Sequence, residues 1–251
     1  MNPLVVDFEA WNENLIIDSF KNTGFLVVDK PFKPVKESLN KLRDTLKYTD
    51  LKTFPAFWQG RPSKQNHPGQ ANERVERIEF ESKVLQQCVH DVKEQFVNVS
   101  IKIFHAIEKF MLMPHNTIAE KHYPDRDPTL CYVKYYKDQE GDIRMGSHCD
   151  FGTLTLVHVC DPVEEYQLNK NDEWHTIRYP SDDFIIVNIG DMMQLWTDNK
   201  LPSTRHRVAN TTKKERTCLI SFMHPVNSEK IKGYYYKDWV DFKSKTALST
   251  G

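Results

Sequence analysis

The sequence predicts a mainly β protein with flanking helices, and three observations carry that reading. From Leu130 to Pro225 the chain is mostly β-branched and apolar runs broken by turn residues, such as Phe151 to Val159 and Phe184 to Val187. Before Met113, apolar residues recur at three- and four-residue steps, the spacing of helices packed on one face. His206 follows the triplet His148-Cys149-Asp150 by 58 positions (206 − 148), and a closed or nearly closed β sandwich lets strands so distant meet.

Each element follows from local chemistry. Leu4–Phe8 reads as a short strand, and Glu9–Asn22 as an amphipathic helix with Trp11, Leu15, Ile16 and Phe20 on one side, ended by Gly24. Phe25–Val28 reads as a second strand. Pro34 opens a helix whose stripe is Val35, Leu39, Leu42 and Leu46. Residues 54–76 hold Pro55, Gly60, Pro62, Pro68 and Gly69 and read as a long loop, with Arg61, Arg74 and Arg77 in or beside it. Ser82–Met113 reads as one long helix or two abutting ones on the back of a sheet. Asn169–Asp172 and Asp198–Lys200 read as turns. The tail from Asn227 shows no clear period.

The chain of 251 residues fits one large domain: supporting strands, loop and helices in 1–113, a β core in 114–225 and a tail in 226–251. A formal net charge of −1 gives no reason to expect nucleic acid or an acidic membrane surface as a partner. No apolar run approaches a membrane span, and the N-terminus lacks the pattern of a signal peptide. Five scattered cysteines (Cys88, Cys131, Cys149, Cys160 and Cys218) suit reduced thiols in the cytoplasm better than a disulfide scaffold.

The chemistry concentrates in the β region. Side chains at i and i+2 of an extended strand share a face, so His148 and Asp150 can reach one metal while Cys149 points away. With His206 they make two histidines and a carboxylate, the facial set that holds non-haem Fe(II) and leaves positions open for dioxygen. A lone His-x-Asp is a weak pattern in a chain with ten histidines. Arg216, ten positions after His206 (216 − 206), adds weight. An arginine in an apolar strand needs an anionic partner, and its planar fork suits a carboxylate, here that of a dicarboxylic co-substrate.

These motifs, in order, resemble the isopenicillin N synthase-like family of Fe(II)/2-oxoglutarate-dependent dioxygenases over residues 3 to about 225. The resemblance runs through Leu4–Phe8, Thr23–Val28, Cys131-Tyr132-Val133-Lys134-Tyr135-Tyr136, His148–Thr155, Tyr166-Gln167-Leu168, Trp174, Val187–Asp191, His206-Arg207-Val208 and Arg216-Thr217-Cys218. It implies a distorted double-stranded β-helix, or jelly-roll, core with an N-terminal helical cap. It implies His148, Asp150 and His206 as iron ligands and catalytic centre. It implies that Arg216 binds the distal carboxylate of 2-oxoglutarate and that Tyr136 donates a hydroxyl to it. Cys218 stands where the family usually has serine, and is a weaker donor. Lys134 stands where asparagine is common; it contacts co-substrate or substrate, or faces solvent. The activity implied is oxidation of a C–H bond of a small molecule by hydroxylation, desaturation or cyclisation, with release of succinate and CO2 and with ascorbate as a candidate reductant. Two rivals stay open: a 2-oxoglutarate-independent non-haem iron oxidase, and a non-catalytic ligand-binding protein on the same scaffold. Substrate and oligomeric state are not legible.

Overall fold

The structure, a computed structural model, describes residues 2–54, 56–59, 75–80, 87–122, 129–137, 141–161 and 163–249. The first part holds β1 (Val5–Asp7), α1 (Glu13–Thr23), β2 (Phe25–Asp29), α2 (Lys36–Tyr48), β3 (Phe57–Gln59), β4 (Val75–Glu79), α3 (Gln87–Phe110) and α4 (Thr117–His122). The β region holds β5 (Thr129–Tyr135), β6 (Ile143–His148), β7 (Leu154–Val159), β8 (Tyr166–Lys170), β9 (Glu173–Thr176) and β10 (Phe184–Ile189). It closes with α5 (Asp191–Trp196), β11 (His206–Ala209) and β12 (Arg216–Met223). The tail adds a small hairpin, β13 (Lys230–Ile231) with β14 (Tyr234–Tyr235), and α6 (Tyr236–Ser249).

Eight strands form one sheet in the order β1-β2-β10-β7-β12-β5-β4-β3, and four form a second in the order β6-β11-β8-β9. Alternation along the strands sorts the large sheet's two faces. Val27, Val133, Val157, Ile186 and Cys218 turn toward the second sheet and pack with its Tyr166, Leu168 and Val208. Leu26, Val28, Leu156, Ile185, Val187 and Leu219 turn the other way, under Ile16 and Phe20 of α1, Leu39, Leu42 and Leu46 of α2, and Val92, Phe96 and Ile103 of α3. The result is a β sandwich with helices on its outer face: the expected jelly-roll core and helical cap.

Caps set the helix ends. Asn12 accepts from the backbone N–H groups of Asn14 and Leu15, and Gly24, at φ +71°, ends α1 in the left-handed region open to glycine. Three elements differ from expectation. The 54–76 stretch read as loop contributes β3 and the start of β4, because pairing of β3 to β4 and of β4 to β5 overrides a local sequence rich in breakers. Residues 60–74, including Arg61 and Arg74, and residues 81–86 of the long helical stretch, lie outside the described residues. The tail without clear period forms α6, tied down where Trp239 donates its indole N–H to Phe151 O at 2.9 Å.

Candidate metal centre

His148 ends β6 and His206 begins β11, and the two are register partners across that antiparallel pair. Cross-strand pairing therefore sets their rings 4.3 Å apart, centroid to centroid. Asp150, two residues past His148, completes the group: its Oδ1 lies 3.6 Å from His148 Nε2 and its Oδ2 3.6 Å from His206 Nε2. His148 Nδ1 is 2.7 Å from Gly146 O and His206 Nδ1 is 3.1 Å from Thr204 O. A carbonyl only accepts, so both Nδ1 atoms carry hydrogen and both Nε2 atoms turn toward the carboxylate. Phe25 meets the His206 ring edge-on and Tyr166 stacks on it.

The chain around Asp150 is fixed by backbone contacts. The N–H of Asp191, at the start of α5, donates to Asp150 O at 2.8 Å, and that of Met192 to Gly152 O at 3.0 Å. Glycine at 190 permits this approach, since a β-carbon there would sit 2.3 Å from Gly152 O. The carboxylate itself accepts from Asn188 Nδ2 at 2.8 Å and from Thr155. Burial pushes the acid's pKa up, but His206, His148 and the Thr155 and Asn188 hydrogen bonds outweigh it and hold it below the usual carboxylate range. Cys149 turns aside, its thiol 3.7 Å from Ser203 O.

His148, Asp150 and His206 open into a cavity of about 110 Å³ whose other walls are largely apolar, with Val133, Met145, Val157, Val208, Ile220 and Phe222 among them. Arg77 also lines it, paired with Glu79 at 2.6 Å and lying over the Phe222 ring. Tyr135 lines it where it approaches Arg216, with the guanidinium carbon 5.5 Å from the ring centroid. Arg216 is buried on the inward face of β12. Its Nη1 donates to Cys218 Sγ at 2.7 Å, whereas its Nε and Nη2 have no hydrogen-bond partner among the described residues. A buried guanidinium with two such nitrogens suits an anionic partner.

The structure thus brings His148, Asp150, His206, Arg216 and Cys218 to the inward face. It does not bring Lys134 or Tyr136. Lys134 falls on the opposite face of β5 and Tyr136 just past its end, because inward positions there are Val133 and Tyr135. Lys134 pairs with Glu215 at 3.3 Å and lies over the Tyr136 ring, and Tyr136 hydrogen-bonds with Glu76. A one-residue difference in register reverses the face, so the cavity tyrosine of this strand is Tyr135. Arg144 forms a fully buried pair with Glu165 at 2.7 Å, Tyr132 faces the helices, and Trp196 stacks on His122. Sequence reasoning missed Asn188 and Thr155 as supports of Asp150. The signal was there in Asn188, a polar residue inside an otherwise apolar strand.

Comparison with known proteins agrees with this geometry. A family model for the 2OG-Fe(II) oxygenase superfamily matches residues 125–225, the stretch that carries His148, Asp150, His206 and Arg216. Jasmonate-induced oxygenase 2 of Arabidopsis thaliana is 27% identical over 144 residues, 56% of this chain and 38% of that protein. A homoarginine-6-hydroxylase of Glycine max is 37% identical over 96 residues, 38% of this chain and 29% of that protein. The chain therefore spans well under half the length of these relatives in the matched regions. The solved structure of JOX2 in complex with 2OG, Fe and JA superposes with a TM-score of 0.76 at 16% identity, covering 100% of this chain and 89% of that one. The dioxygenase for auxin oxidation 1 of Arabidopsis thaliana, solved as its 2-oxoglutarate binary complex, gives 0.67 at 16% identity, covering 92% and 95%. These two show a shared fold along almost the whole chain. The family match adds a likeness to the 2OG-Fe(II) oxygenase superfamily over residues 125–225.

Proposed function

We propose that this chain is a non-haem Fe(II)- and 2-oxoglutarate-dependent oxygenase of the isopenicillin N synthase-like kind, acting on a small molecule. One observation carries the reading: two histidine Nε2 atoms and a carboxylate face one another on a cavity whose Tyr135 wall abuts a buried arginine with two unpartnered nitrogens. The donor set fits Fe(II), and the idle guanidinium edge fits the distal carboxylate of 2-oxoglutarate. His148, Asp150 and His206 would hold the metal, and Arg216, with Cys218 beside it, would hold the co-substrate. Bound there, iron supplies dioxygen activation coupled to oxidation of 2-oxoglutarate to succinate and CO2 and of a substrate C–H bond.

The protein's part is position and exclusion. Hydrogen bonds from Nδ1 to Gly146 O and Thr204 O fix both imidazoles, and Asn188 and Thr155 fix Asp150. The apolar walls keep water from the reacting centre and offer an aliphatic or aromatic substrate its contacts. A carboxylate at 150 occupies a metal position that a halide would need, which favours hydroxylation, desaturation or ring closure. Relatives are named for jasmonate induction, homoarginine hydroxylation, validamycin A oxidation and codeine demethylation, so likeness supports the reaction and leaves the substrate open. The five free cysteines suit a cytoplasmic site of action, and no described helix is long and apolar enough to cross a membrane.

The rival iron oxidase that needs no 2-oxoglutarate draws on Cys218, whose thiol already engages Nη1 of Arg216. Succinate production separates the two. Purified protein given Fe(II), ascorbate, dioxygen and 2-oxoglutarate is expected to release succinate, slowly alone and faster with an accepted substrate. His206→Ala should release none. Oxygen uptake without succinate would favour the oxidase and overturn the 2-oxoglutarate assignment.

A further inference from the structure

A second group of metal-ligating side chains lies outside the cavity, where α3 runs into α4. His105 and Glu108 stand three residues apart and so share one face of α3, and His115 lies in the turn that follows. One donor atom from each lies within 4.8 Å of the others. The two imidazole centroids are 4.1 Å apart, and His115 Nδ1 is 3.9 Å from Glu108 Oε2. Asn116 Oδ1 accepts from His105 Nε2 at 2.8 Å, which orients the ring and leaves Nδ1 as its nitrogen with a free lone pair.

Glu108 is buried, with 1% of its surface exposed, and part of its role is to cap α4. Its Oε1 accepts from the N–H groups of Ile118 at 2.6 Å and Ala119 at 3.4 Å. Among the described residues its Oε2 accepts from Asn116 N alone, at 2.9 Å. Each carboxylate oxygen has two lone-pair directions, so Oε2 keeps one on the side of His115. Capping explains the carboxylate; it does not explain two imidazoles gathered against it. Two nitrogens and one carboxylate oxygen suit a borderline cation of the zinc class, whereas calcium and magnesium call for oxygen-rich cages.

We propose that His105, Glu108 and His115 form a second divalent-metal site, selective for zinc-class cations, that ties the end of α3 to the start of α4. Its consequence reaches the cavity by structure. The same α4 carries His122, whose Nε2 is 2.7 Å from Thr153 Oγ1 in the segment that follows Asp150. The site stands independently of the catalytic reading.

The test is equilibrium dialysis of the metal-free full chain against micromolar Zn2+, with bound zinc counted by elemental analysis. His115→Ala and His105→Ala should each bind one equivalent less than the parent protein, while His206→Ala should keep that equivalent. His115 is exposed on the surface, so its removal does not endanger folding. Zn2+ should also raise the melting temperature of His206→Ala and leave that of the His115→Ala/His206→Ala double variant unchanged. Zinc counts in His115→Ala and His105→Ala equal to the parent's, or an equivalent filled only at millimolar zinc, would overturn the proposal. If the triad holds no metal, the parent should bind a single equivalent that is lost in His115→Ala and kept in His206→Ala.

Discussion

Asn188 donates from Nδ2 to Oδ2 of Asp150 at 2.8 Å, the same oxygen that faces His206 Nε2. The amide thereby fixes the rotation of the one anionic group at the proposed metal centre. Partners of this kind orient the ligand and tune metal affinity. Asn188→Ala should weaken Fe(II) binding by about 10- to 100-fold, read by anaerobic titration. An unchanged affinity would mean that Thr155 alone suffices to hold Asp150.

The register of β5 makes a prediction that separates two adjacent tyrosines. Tyr135→Phe should raise the KM for 2-oxoglutarate by about tenfold, the worth of one hydrogen bond to a charged group. Tyr136→Phe, on the far face beside Glu76, should change it by less than about twofold. The opposite ranking would refute the placement of Tyr135 on the cofactor side.

Arg216 and its neighbour make a graded pair. Arg216→Ala should raise the 2-oxoglutarate requirement by roughly 100-fold or more, and Arg216→Lys should recover little, since an ammonium cannot reproduce the planar fork. Cys218→Ser replaces a weak donor by a stronger one and should lower that requirement by about threefold. Steady-state succinate formation against 2-oxoglutarate concentration measures all three. A requirement that Arg216→Ala leaves unaltered would remove the arginine from the co-substrate site.

Two buried histidines set how the fold responds to acid. Burial pulls the pKa of His122 down to about 3 and that of His158 to about 4, from an ordinary 6.5. Both are neutral when folded and take up a proton on unfolding below pH 6.5. Their contribution is therefore fully present above that pH and is lost as pH falls toward 4 and 3. Each should cost about 1.4 kcal/mol of stability per pH unit in that window. Urea midpoints between pH 7 and 4.5 should show this slope, and His158→Asn should reduce it by about one proton. A flat profile would contradict the burial of these rings.

The Arg144–Glu165 pair, with both side chains 0% exposed, governs a lower window. Burial raises the acid's pKa, but hydrogen bonds from Arg144 and Thr212 outweigh that and hold it below its ordinary value. Its stabilising contribution is present above the ordinary glutamate pKa and fades as pH drops through the lowered one. Glu165→Gln leaves a buried guanidinium without its counter-charge and should cost about 3–5 kcal/mol. Glu165→Gln unfolding at the parent's denaturant midpoint would show that the pair contributes nothing.

What was legible in the sequence follows physical lines. The triad could be read because strand alternation fixes which of His148, Cys149 and Asp150 share a direction, and Arg216 because charge inside an apolar strand requires an answer. Tyr136 and Lys134 went astray because a motif alone does not fix strand phase: β5 could place either parity inward, and pairing with β4 and β12 decided it. β3 and β4 were hidden because sheet neighbours, which no local window contains, stabilise them. The α3–α4 cluster was invisible since it depends on a turn bringing His115 back onto the face of His105 and Glu108. Asn188 was the avoidable omission, a polar side chain in the middle of Val187-Asn188-Ile189.

The central claim is that one iron, held by His148, Asp150 and His206, shares its site with a 2-oxoglutarate seated on Arg216. The most direct measurement is the visible absorption of the protein loaded anaerobically with Fe(II), before and after 2-oxoglutarate is added. A weak metal-to-ligand charge-transfer band that appears on addition, is absent in His206→Ala and is diminished in Arg216→Ala is the predicted result. Iron demonstrably bound with no band at saturating 2-oxoglutarate would contradict it.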